Sequence, residues 1–154
     1  MELGTTIFGI VLFALCCLPI VLSATKRNKK NRQTLAKLTA FAAQHHCTVE
    51  EHELAYRFSL GIDKHKQHFF FCSEWQQEAI NLSAMKSCSI IRRQHEANGL
   101  GAVIDRLALE FTPKNKSAAK VQLEFYDGDA CSGLLDEWQV INKWQGIISQ
   151  ELKA

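Results

Sequence analysis

The chain changes its hydrophobic rhythm three times. From Thr5 to Ala24 it reads TTIFGIVLFALCCLPIVLSA, an apolar run with no ionised side chain between Glu2 and Lys26. About 20 residues at ~1.5 Å each cover the ~30 Å hydrocarbon core of a bilayer. Ile7, Phe8, Ile10, Val11, Leu12, Phe13, Leu15, Leu18, Ile20, Val21 and Leu22 together favour insertion by ~3 to 7 kcal/mol. Pro19 sits near the end of the run, where a membrane helix tolerates a kink. The pattern predicts a transmembrane anchor over residues 1–25, in contact with the lipid bilayer through residues 5–24. Cys16 and Cys17 read as apolar filler inside it, and no GxxxG pairing motif is present.

The second rhythm is helical. In QTLAKLTAFAAQHH, Gln33 to His46, the residues Leu35, Leu38, Phe41 and Ala42 fall on one face, and the alanines favour the helical state. Residues 26–46 are thus a basic juxtamembrane segment leading into a helix.

The third rhythm has period two and opens the domain of residues 47–154, a β region followed by a C-terminal helix. Leu54, Tyr56, Phe58 and Leu60 alternate within Glu53–Ile62 and predict one strand. A polar turn, Asp63-Lys64-His65-Lys66, leads to His68–Cys72, a short apolar strand buried on both faces, so the two form a hairpin. Glu78–Leu82 predicts a third strand, Ser83-Ala84-Met85 a turn or helical step, and Ser87–His95 a longer strand. Asn98-Gly99-Leu100-Gly101 carries turn chemistry. In Ile104–Thr112 the residues Leu107, Leu109 and Phe111 share a face, opposite Arg106, Ala108 and Glu110; in Ala119–Tyr126 Val121, Leu123 and Phe125 do the same. One polar face per strand predicts an antiparallel sheet or barrel with a solvated exterior.

The chain closes on a helical pattern after the turn Asp127-Gly128-Asp129. Leu134, Trp138, Ile141, Gln145, Ile148 and Leu152 recur at steps of three and four, widened by Leu135, Val140, Trp144 and Ile147. Ser132 is the expected cap, with Asp136 and Glu137 at the positive end. Such a helix is most simply a lid on a sheet.

Charge adds direction. Lys26, Arg27, Lys29, Lys30 and Arg32 come directly after the apolar run, and no Lys or Arg precedes it. The positive-inside rule places the bulk of the chain in the cytoplasm, so the expected location is the cell membrane, single-pass, with a cytoplasmic C-terminal domain. A cleaved signal peptide fits less well, because Glu2 stands where such peptides carry a basic region. The same five residues are the expected membrane-surface contact, each worth ~1 kcal/mol against anionic headgroups. Net charge is +2; setting aside these five and Glu2 leaves 13 basic and 15 acidic side chains, a balance of −2. The domain is therefore no bulk nucleic-acid binder.

Candidate chemistry is sparse. His45-His46-Cys47 with His52 invites a metal reading, but His45 and His46 point about 100° apart on a helix and His52 lies past a break. Cys72 and Cys88 sit among Phe69–Phe71 and Ile90, the surroundings of core thiols rather than nucleophiles. Cys47 and Cys131 complete a set without a CxxC pair, expected reduced in a cytoplasmic domain. Asp127 and Asp129 lack the rest of a calcium loop. No P-loop, GxGxxG, GxSxG or HExxH occurs. No catalytic residue, metal or cofactor is assigned.

The stretch LGIDKHKQHFFF, with INLSAMKSCSII after it, resembles a recurring pattern of small bacterial proteins with a pleckstrin-homology-like (PH-like) domain. Gly61, Ile62, Asp63, Ile80, Leu82, Ser83, Met85, Cys88 and Ile90 carry the match, and the resemblance covers roughly residues 53–152. It implies an α+β fold: an N-terminal transmembrane helix, then a PH-like antiparallel β-barrel or sheet capped by a C-terminal α-helix. PH-like domains bind phosphoinositides through a basic first hairpin, or bind peptides. The tip here holds Lys64, His65, Lys66 and His68 without the family's Lys-x-Arg arrangement, which favours a solvated turn. The expected function is a non-enzymatic, membrane-tethered module that binds a protein or supports an assembly, through Ser87–His95 with its Ile91-Arg92-Arg93 tract or the exposed side of the last helix. The alternative is an anionic-lipid-binding module at the inner membrane surface.

Overall fold

The computed structural model describes the backbone of residues 3–99 and 101–154, and side chains from Ile7 onward apart from Leu100. Glu2 and Leu100 lie outside the described residues. The chain divides into two compact units, Met1–Lys37 and Leu38–Ala154. Helix α1 spans Leu3–Gln44. In the first unit its large apolar side chains from Ile7 to Leu22 are all exposed. This helix is long and apolar enough to cross a membrane. Pro19 lies within it.

The second unit is α+β. Strands β1 (Val49–Leu54), β2 (Phe58–Asp63), β3 (His68–Ser73) and β4 (Gln77–Asn81) form a four-stranded antiparallel meander. A 3-10 turn over Leu82–Ala84 leads to β5 (Met85–Ala97), β6 (Gly101–Pro113) and β7 (Val121–Asp127), a second antiparallel meander of three strands. Helix α2 (Glu137–Lys153) closes the chain. The two sheets are not hydrogen-bonded into one, so the barrel allowed by the sequence pattern is not closed among the described residues.

The main core lies between the sheets under α2. Phe58, Leu60, Ile62, Phe69, Phe71 and Ile80 of the first sheet meet Leu107, Leu109, Phe111, Leu123 and Phe125 of the second, with Val140, Ile141, Trp144 and Ile148 from α2. Every residue of β2 is buried, and so are Phe69–Cys72 of β3. The other face of the first sheet carries Phe70 and Cys72, covered by Leu38, Phe41 and Ala42 of α1. Phe70 meets Phe41 edge to face at 5.9 Å. Phe69–Cys72 are therefore apolar without interruption because the strand has a core on each side. Gly61 belongs to the same layer: a Cβ there would stand 2.7 Å from Val49 Cγ1, 3.0 Å from the Glu51 carbonyl oxygen and 3.3 Å from Leu38 Cδ2.

Three expectations are corrected. The single strand over Glu53–Ile62 is two, because the chain reverses at Ala55–Arg57, where Ala55 N–H donates to Phe58 O at 2.9 Å; Tyr56 points to solvent in that turn. Ser132 does not cap α2; Asp136 occupies the N-cap position. Leu135 does not widen the apolar stripe: it precedes the helix and is 61% exposed.

The two sheets are pinned by side chains at their ends. The Gln76 amide donates to Gln122 O at 2.9 Å and accepts from Glu124 N–H at 3.2 Å, standing in for a strand residue along the edge of β7. Trp144 Nε1 donates to Glu53 Oε2 at 2.7 Å, tying α2 to β1.

Candidate functional site

The five predicted surface residues, Lys26, Arg27, Lys29, Lys30 and Arg32, are all exposed on α1 within the first unit. Helical geometry distributes them around the axis rather than on one stripe. That arrangement suits a collar at a headgroup layer.

A chemically dense place among the described residues of the second unit is a cavity of about 310 Å³ between the end of α1 and the β2–β3 turn. Its walls include His45, His46, Cys47, Asp63, His65 and His68. The end of α1 builds one side. His46 has a left-handed backbone (φ 58°), Cys47 N–H reaches back to Ala42 O at 3.0 Å, and His46 N–H to Ala43 O at 3.0 Å. These two bonds make a Schellman ending with histidine where glycine is usual. The turn brings Cys47 back beside Ala42, in the cluster that covers Phe70.

The hairpin turn builds the other side. Asp63 is 3% exposed. Its Oδ1 accepts from the N–H groups of Gln67 and His68, each at 2.7 Å, and its Oδ2 from His65 N–H at 3.4 Å. Lys64 N–H donates to Thr48 O at 3.0 Å and so ties the turn to the residue after Cys47. The Cys47 thiol, the Asp63 carboxylate and a ring nitrogen of His68 come within 4.8 Å of one another. Burial, helped by the Asp63 carboxylate, pushes the Cys47 thiol above its ordinary pKa.

This cluster differs from the grouping that adjacency in sequence suggested. Of that grouping Cys47 belongs to the cluster and His45 and His46 line the cavity, but His52 lies on β1 opposite Gly61, exposed, and does not line it. Asp63, read as a turn residue, and His68, read as a residue of the hairpin tip and the start of the next strand, complete it. The helix end at His46 is legible in the sequence; its left-handed backbone, which turns Cys47 back towards Asp63, is not, because no glycine marks it.

The remaining candidates fall elsewhere. Cys72 and Cys88 are buried free thiols, and burial raises them to about 11 and about 12. Both are therefore protonated and poor nucleophiles near neutral pH. Asp127 Oδ1 accepts from Asp129 N–H at 3.0 Å, the geometry of a local turn. At the hairpin tip Lys66 is paired with Glu151 of α2 at 3.1 Å, which raises its pKa and draws it away from a role as a free basic tip. Strand β5 is an edge strand among the described residues, with β6 as its strand neighbour. Along it Arg92 and Arg93 are exposed, and the Arg92 guanidinium lies 5.3 Å from the Trp138 ring. Compared with known proteins, the chain matches no family model, no curated protein and no solved structure.

Proposed function

We propose that this chain is a single-pass membrane protein whose C-terminal domain, PH-like in architecture, works at the cytoplasmic face as a docking module without catalytic activity of its own. The observation that carries the tether is the exposed apolar surface of α1 from Ile7 to Leu22, ending at the exposed bases Lys26 to Arg32. An isolated apolar surface of that length is unfavourable in water and favourable in lipid. The collar then adds contact with anionic headgroups, which salt weakens. The sequence of a four-stranded meander, a three-stranded meander and a closing helix supports the PH-like reading.

The docking surface is the free edge of β5 at Ile91–Gln94. An unpaired strand edge offers backbone donors and acceptors to an extended segment of a partner, and exposed Arg92 and Arg93 favour an acidic one. A photo-crosslinker at position 93 of the full chain in native membranes tests this. A discrete adduct at position 93, absent with the crosslinker at Lys116 and lost on Ile91→Pro, is the expected result. No adduct, or the same products from both positions, overturns the edge as the docking site.

A further inference from the structure

The geometry points to a binding site for a transition-metal ion of zinc-like character, held by Cys47, Asp63 and His68 beside the end of α1. The three ligand atoms lie within 4.8 Å of one another. A tetrahedral zinc ion with bonds of ~2.0–2.3 Å sets its ligands about 3.3–3.8 Å apart, so the side chains need close by only ~1 Å. His68 Nδ1 is buried and has no hydrogen-bond partner, a condition that folded proteins rarely leave uncompensated.

Asp63 is already oriented for the task. Its Oδ1 is taken up by two short bonds from Gln67 and His68 N–H groups, while Oδ2, with the longer 3.4 Å bond from His65, keeps lone-pair capacity. Backbone bonds of this kind fix a ligating carboxylate before the ion arrives. A donor set of sulfur, imidazole nitrogen and carboxylate oxygen selects zinc and its borderline neighbours; magnesium and calcium take oxygen alone. His45, His46 and His65 also stand in the cavity wall, so one of them or a water would complete the tetrahedron. An ion here would fasten the end of α1 to the β2–β3 hairpin. The inference is independent of the docking reading.

Cobalt titration of the reduced full chain in detergent micelles tests it. The expected result is a thiolate-to-cobalt charge-transfer band with tetrahedral d–d absorption, displaced by Zn²⁺, and a Zn²⁺-dependent rise in Tm. Cys47→Ser is expected to remove the band and the rise. His68→Gln is expected to weaken binding at least ~10-fold, whereas His52→Gln, outside the cavity, leaves it unchanged. Thermal melting establishes that each variant folds; should Cys47→Ser fail to fold, the comparison of His68→Gln with His52→Gln decides. The site is overturned by the absence of a charge-transfer band, by a band that survives Cys47→Ser, or by equal effects of the two histidine substitutions.

Discussion

Arg57 Nη1 stands 2.6 Å from Glu137 Oε1, so the turn between β1 and β2 is locked to the first residue of the closing helix, 80 positions away. Glu137 is 1% exposed on its side chain, and its Oε2 accepts from Leu135 N–H at 2.6 Å. Arg57 also donates to Gly133 O at 3.1 Å. Removing one partner leaves a buried charge without its counter-charge. Glu137→Ala is expected to destabilise the domain by ~3–5 kcal/mol, measured by denaturant unfolding of the full chain in detergent. A loss below ~1 kcal/mol would show that water replaces the carboxylate.

Two glycines separate a packing constraint from a propensity effect. Gly61→Ala forces a methyl group against Val49, Leu38 and the Glu51 carbonyl, and is expected to cost ~1–3 kcal/mol. Gly146→Ala on α2 meets nothing within 4 Å and is expected to stabilise by ~0.5–1 kcal/mol. Melting temperatures of the two variants should move in opposite directions.

The buried thiols predict an alkaline limb in stability. Folding raises Cys72 and Cys88 from 9.0 to about 11 and about 12. The folded state therefore holds those protons more tightly, so the stabilisation is full below pH 9.0 and is lost as pH climbs towards 11 to 12. Cys88→Ala should flatten that loss in unfolding curves recorded across this window. At neutral pH a maleimide should label Cys131, which is half-buried, before Cys72 or Cys88.

In the proposed topology, orientation rests on the collar. Replacing Lys26, Arg27, Lys29, Lys30 and Arg32 by glutamine is expected to give mixed insertion, read as partial protease protection of the domain in sealed vesicles. Uniform orientation in that variant would show that the five bases do not set topology.

Much of the architecture is legible in the sequence, for physical reasons. HFFFC reads as buried on both faces because no polar residue interrupts it, and Phe70 and Phe71 do face different cores. Alternation places Leu107, Leu109 and Phe111 correctly. The same alternation misleads at Leu54, Tyr56, Phe58 and Leu60: it continues through a tight turn at Ala55–Arg57 that contains no glycine, proline, asparagine or aspartate to announce it. Helix α2 starts later than Ser132 suggests, at Asp136 and Glu137, the acidic pair that the charge pattern sets at its positive end. The Cys47–Asp63–His68 cluster is invisible to spacing, since it depends on the left-handed backbone at His46 and on the side chain of Asp63 being folded into its own turn.

The covering of Phe70 by Leu38, Phe41 and Ala42 decides where the polypeptide can be shortened. A soluble fragment that starts ahead of Leu38 keeps its lid. One that starts at Cys47, at the apparent beginning of the β region, bares a phenyl ring and its neighbours to solvent, and such a fragment will clump instead of staying dispersed.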